Sequence, residues 1–111
     1  MSFDAALLVD AVTQNAATTG NGTEIQVDGG KLVKVYFVGA AGVTAGAVQL
    51  EEAVATGYSG TWAPIGSPQT ITGGQTDVLV FQGPFKALRT RISTTISGGG
   101  APSVTVRVVI V

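Results

Sequence analysis

Residues 83–111 alternate apolar and polar side chains in two runs, with a glycine-rich bend between them. In the first run Leu88, Ile92 and Ile96 fall on one side and Arg89, Arg91, Ser93 and Thr95 on the other. In the second, Val104, Val106, Val108 and Ile110 oppose Thr105 and Arg107. A period of two marks a strand buried on one face and wet on the other. Two such runs around Ser97-Gly98-Gly99-Gly100-Ala101-Pro102 predict an antiparallel pair.

Shorter runs of the same kind recur upstream. Residues 23–27 place Ile25 and Val27 inward. An Asp28-Gly29-Gly30 turn then leads into residues 32–38, a second hairpin signal. Residues 39–46 are small and loop-like. Strands are expected over 48–53, in a short aromatic stretch within 58–66, and over 77–82 after Gly73-Gly74. Charged residues make up only 12% of the chain, half the usual share of about a quarter, which favours strands and turns over surface helices. The expected class is therefore all-β: a single-domain antiparallel β-sandwich, jelly-roll-like, with about eight strands. Residues 2–13 are apolar at almost every position, which periodicity alone assigns to neither helix nor strand. Read as a strand, the segment puts Leu7 and Val9 on one face and Leu8 and Val12 on the other, so both faces need cover. The chain accordingly divides into an apolar N-terminal segment with a flexible connection, 1–22, suited to an interface arm, and a sandwich domain, 23–111.

Catalysis has little to work with. With no His and no Cys, the commonest general base, the thiolate nucleophile and the usual imidazole or thiolate metal ligands are all missing. Glu51 and Glu52 are adjacent, and strand neighbours point to opposite faces, so they cannot act as a paired acid and base. Asp4, Asp10, Glu24, Asp28 and Asp77 are scattered, and none sits in a calcium-loop spacing. Residues 39–46 lack the Lys-Ser/Thr ending of a phosphate loop. The expectation is a protein that is not an enzyme, with no catalytic, cofactor-binding or metal-binding residues. Six Lys and Arg against a net charge of -1 leave no basic stripe for nucleic acid. No apolar stretch is long enough to cross a bilayer as a helix, and the N-terminus has no signal-peptide pattern, so a soluble protein without membrane contact is expected.

Low charge with positive mean hydropathy leaves much apolar surface for a small monomer to hide, which points to self-association or a large partner. Trp62 is expected to be buried, and Tyr58, beside Gly57 and Gly60, to be a surface contact. Arg89, Arg91 and Arg107 all face outward and, if their strands pair, form a small cationic band. Two readings stay open for them: ordinary solvation, or docking onto an acidic protein surface. The apolar Phe3, Leu7, Leu8 and Val9, with Val109 and Val111 at the other end, are the remaining interface candidates.

Leu50-Glu51-Glu52, the Gly60-Thr61-Trp62 turn, and Gly83-Pro84-Phe85-Lys86-Ala87-Leu88-Arg89 ahead of two closing strands together resemble the small β-sandwich of capsid decoration, or cement, proteins of tailed bacteriophages. The likeness spans most of residues 23–111, and the length is similar to that of the head staple proteins of epsilon15-like short-tailed phages. The resemblance implies a jelly-roll-like sandwich on the exterior of the virion, made in the host cytoplasm. There it would bridge neighbouring subunits of the major capsid protein, as a homodimer or higher self-association, without catalytic residues or cofactors. Two rival readings remain: a carbohydrate-binding or host-recognition sandwich of a phage tail using Tyr58 and Trp62 as stacking rings, and a tail-tube or head-completion component.

Overall fold

The computed structural model of the chain describes residues 9–27, 32–74, 76–82 and 85–110. Nine strands account for most of them: β1 (Val9–Ala16), β2 (Gly20–Asn21), β3 (Ile25–Gln26), β4 (Leu32–Gly39), β5 (Val43–Ala53), β6 (Ala63–Thr70), β7 (Thr76–Gln82), β8 (Ala87–Gly98) and β9 (Val104–Ile110). No helix occurs among the described residues. Two antiparallel sheets form a sandwich, the first in the order β1-β9-β4-β7 and the second in the order β2-β8-β5-β6, with β3 also on β8. Because β2 pairs at Ile92 and Arg91 and β3 at Leu88 and Ala87, the two short strands are halves of one interrupted strand along the same side of β8.

The pairing is nested. β1 lies on β9, β2 and β3 on β8, β4 on β7, and β5 on β6. Each pair joins strands closer in sequence than the pair outside it, as in one long antiparallel ribbon wound over itself. The contacts β4·β9 and β5·β8 then knit the wound ribbon into sheets. This is the jelly roll, the eight-stranded double-sheet solution to exposed strand edges. β1 and β2 fall within the segment 1–22 set apart on sequence, yet both are strands of the sheets.

The two closing strands are not a hairpin. β8 belongs to the second sheet and β9 to the first, so their apolar sides face one another across the core. The same holds for the hairpin expected from residues 23–38, since β3 pairs with β8 and β4 with β9 and β7. Alternation specifies which side of a strand is apolar, and two strands satisfy that equally well side by side or face to face. The expected cationic band is overturned by the same fact: Arg89 and Arg91 lie on the outside of one sheet and Arg107 on the outside of the other. Of strands adjacent in sequence, only β5 and β6 pair as a hairpin among the described residues.

The core lies between the sheets. Val33, Val35, Phe37, Val104, Val106, Val108 and Ile110 meet Val48, Leu50, Leu88, Ile92 and Ile96, with Ile71 and Phe85 closing gaps. Burying each such side chain contributes about 1.5–3 kcal/mol. A polar tie crosses this core. Thr90, fully buried on β8, donates to Gln14 Oε1 at 3.0 Å and lies 3.2 Å from the Thr13 hydroxyl, and Gln14 Nε2 donates to the Gly20 carbonyl at 2.9 Å. At one end the connections β4–β5 and β8–β9 press together: Gly99 N–H donates to the Gly42 carbonyl at 3.1 Å. There Gly98, at φ 149°, sits so close that a Cβ would overlap the Gly42 carbonyl oxygen, so no other residue fits without moving backbone.

Candidate interaction surface

Among the described residues, most of the large apolar side chains left exposed lie on the outer face of the β1-β9-β4-β7 sheet, with Val54 and Tyr58 in the β5–β6 connection as the others. Register builds that outer face in rows. Val12 on β1 stands opposite Arg107 on β9, Arg107 opposite Tyr36 on β4, and Tyr36 opposite Val78 on β7. The next row runs from Val109 to Lys34 to Val80, and beyond the Tyr36 row lie Thr105 and Val38. Val12, Leu32, Val38, Val78 and Val80 are each 38–55% exposed, an unusual concentration of aliphatic side chains on one face. An open groove of about 640 Å³ runs among Tyr36, Val38, Thr105, Arg107 and Val109. Lys34 Nζ lies 5.6 Å from the Tyr36 ring centroid, so its charge covers the aromatic face and its stem adds apolar contact.

The outer face of the second sheet is built differently. Glu51 on β5 stands opposite Arg89 on β8, and its carboxylate is nearly sealed from solvent. Arg89 Nε donates to Oε1 at 2.9 Å and Arg91 Nε to Oε2 at 3.0 Å. The Arg89 guanidinium also lies 4.4 Å from the Trp62 ring centroid. Trp62 donates its indole N–H to the Tyr58 carbonyl at 3.1 Å and packs with Ala53 and Ala87, separate from the main core. Glu24 holds the same loop, accepting the Gly57 N–H at 2.8 and 3.0 Å. Gln49 bridges the irregular β5–β6 register by donating to the Ile65 and Gly66 carbonyls. This face is fastened down by its own side chains.

Comparison with known proteins adds little. No family model matches the chain, and no curated protein matches it. Among solved structures it is similar to a chain in the structure of infectious bursal disease virus Gx strain, with a TM-score of 0.47 and 16% identity. That likeness covers 93% of this chain but 30% of the viral one. At such values it carries no argument, and the jelly roll rests on the strand pairing of this chain alone.

The candidates read from sequence scatter over the two faces. Arg107 and Val109 lie on the apolar face. Arg89 and Arg91 lie on the opposite one, both engaged by Glu51 and therefore neither purely solvated nor open to an acidic partner without losing that contact. Tyr58 is 39% exposed, with its ring over Gly60, whose Cβ would overlap it. Trp62, at 5%, is buried as expected, but under Arg89 and outside the main core. Phe3, Leu7, Leu8 and Val111 lie outside the described residues, and Val9 enters only through its backbone pairing with Ile110. The residues that make the face, Val12, Leu32, Tyr36, Val38, Val78 and Val80, are not among the sequence candidates. In β7 both alternating sets carry large apolar residues, and in β4 only Lys34 and Tyr36 mark the outward set, so the excess of apolar residues over one face's needs is visible but the face that carries it is only weakly marked.

Proposed function

We propose that this chain is a non-enzymatic viral structural protein that binds the outer surface of a tailed-phage capsid and staples neighbouring major capsid subunits. The observation that carries the reading is the contiguous apolar outer face of the β1-β9-β4-β7 sheet, with Arg107 and Lys34 set among its valines. A rigid sheet face of this kind works by shape-matched contact, with aliphatic side chains at the centre and a few polar groups fixing register. The resemblance to decoration proteins supplies the partner. The absence of His and Cys supports a role without chemistry.

The mechanism is linkage. A protein that binds assembled subunits and not separated ones stabilises the assembly by its binding free energy, and many copies multiply a modest contact. Burial of Trp62 weighs against the rival sugar-binding reading, since only Tyr58 of the two candidate rings is left accessible. Decorated and stripped particles heated side by side test the proposal. Decorated shells are expected to retain their genome at temperatures where stripped shells release it, and re-addition of the protein is expected to restore the difference. Equal survival of bare and decorated shells overturns the stapling role.

A further inference from the structure

Of the four sheet edges formed by the described residues, three are interrupted and one runs unbroken. β1 carries a register break between Val12 and Gln14. The β2 and β3 edge consists of two pieces of two residues each. β6 contains Pro64, Gly66 and Pro68 and breaks register against β5. These are the usual devices that stop an edge from recruiting another strand. β7 shares none of these three features, and its one charge is Asp77 near its start. Its seven residues, TDVLVFQ, pair with β4 in unbroken register from Leu32↔Gln82 to Val38↔Thr76, with no proline, glycine or lysine. On its free side, alternate backbone N–H and C=O groups point away from β4 with no strand beyond them among the described residues.

We propose that β7 pairs with β7 of a second copy of this chain, antiparallel about a twofold axis at Leu79, fusing two four-stranded sheets into one of eight strands. Three observations favour a second copy as the occupant. An axis at Leu79 uses the whole strand, so that Thr76 meets Gln82, Val78 meets Val80, and Leu79 meets itself. The one charged residue of β7, Asp77, then comes opposite Phe81 and not opposite a second carboxylate. Leu79 and Phe81, on the core side, are only partly buried, whereas Val33, Val35 and Phe37 on the neighbouring β4 are at most 1% exposed. The same residues of a partner copy would complete their cover. The apolar outer faces of the two copies, through Val78 and Val80, then become one surface. Such an isologous contact closes at two copies, which leaves no free β7 edge for further growth. The inference goes beyond capsid binding and holds for the isolated chain.

The full chain, free of cysteine, suits a direct test. In a sedimentation concentration series the mass is expected to double, and alternate β7 amides are expected to slow their hydrogen exchange in step with that doubling. Under mild oxidation Leu79→Cys is expected to give a covalent dimer, because position 79 faces its own copy, whereas Val12→Cys on the β1 edge is expected to remain monomeric under denaturing electrophoresis. Should Leu79→Cys fold poorly, the double variant Val78→Cys with Val80→Cys uses exposed positions that face each other across the axis. A chain that stays monomeric throughout the series, or that dimerises with β7 amides exchanging as fast as in dilute solution, overturns the proposal. No capsid enters these measurements, so their failure is separate from failure of the stapling role.

Discussion

Glu51 and Arg89 face each other across the β5–β8 ladder, and the carboxylate that takes Arg89 Nε at 2.9 Å takes Arg91 with its other oxygen. One anion thus fixes two cations on the outside of a sheet, and through Arg89 it positions Trp62 and the loop that follows β5. Replacing Glu51 by Ala leaves two guanidinium groups crowded at a nearly buried site. Urea denaturation is expected to register a loss of about 2 kcal/mol, since hydrogen bonds to charged groups contribute about 1.5–3 kcal/mol each and the partly exposed arginines recover some hydration.

Arg89 and Trp62 form a separable pair. A double-mutant cycle with Arg89→Lys and Trp62→Phe is expected to return a coupling of about 0.5–1 kcal/mol, the range for a partly exposed cation over an aromatic ring. Lysine keeps the charge but loses the planar stack, so the charge-conserving change is expected to show most of the coupling. In Arg89→Lys, red-shifted and more quenchable Trp62 fluorescence would report loosening of the loop without global unfolding.

Thr90→Val preserves shape but removes the hydroxyl that joins the two sheets through Thr13 and Gln14. Gln14 Oε1 loses its donor in a buried setting, which costs about 1–3 kcal/mol. The chemical denaturation midpoint is expected to fall with an unchanged slope. A Thr13→Val, Thr90→Val double variant is expected to cost less than the sum of the singles, since both delete the same tie.

Gly98→Ala should be far more damaging than its small size suggests. The added methyl group meets the Gly42 carbonyl in a backbone conformation that L residues rarely adopt, a combination costing on the order of 2–3 kcal/mol. Gly99→Ala, where a Cβ meets open space, is the matched control and is expected to stay within about 1 kcal/mol of the parent. Thermal unfolding of the pair checks the difference.

On the apolar face, Val12→Glu and Val38→Glu alter exposed positions off the β7 edge and are expected to change unfolding free energy by about 1 kcal/mol or less. If this face meets the capsid, shell occupancy at limiting protein should fall on the order of tenfold for each, equivalent to about 1.4 kcal/mol. Glu substitution at Thr95, an exposed position on β8 of the other sheet, should leave occupancy unchanged.

Much of the one-sided character of the strands is legible in the sequence itself. Leu88, Ile92, Ile96, Val104, Val106, Val108 and Ile110 all enter the core their alternation predicts, and Arg89, Arg91 and Arg107 all face out. The partners of those residues are not legible there. Glu51, in sequence no more than one of two adjacent acids, is the anion for Arg89 and Arg91, which lie 38 and 40 residues away. The outer face of β4 and β7 gives only a weak local signal, Lys34 on β4, because Leu32, Val38, Val78 and Val80 are as apolar as the residues they alternate with.

Side-chain alternation is a property of one strand, and it settles locally which atoms must leave water. Which strand lies beside which is settled by a different balance, in which distant segments are closed into loops only if the resulting sheets seal each other's apolar sides. Hence composition and periodicity alone are enough for an all-β sandwich and for the inward and outward sets of β8 and β9. Their placement in opposite sheets, the Glu51 clamp, the unbroken edge at β7 and the valine-rich face come only from the tertiary arrangement, because each depends on neighbours that no local pattern names.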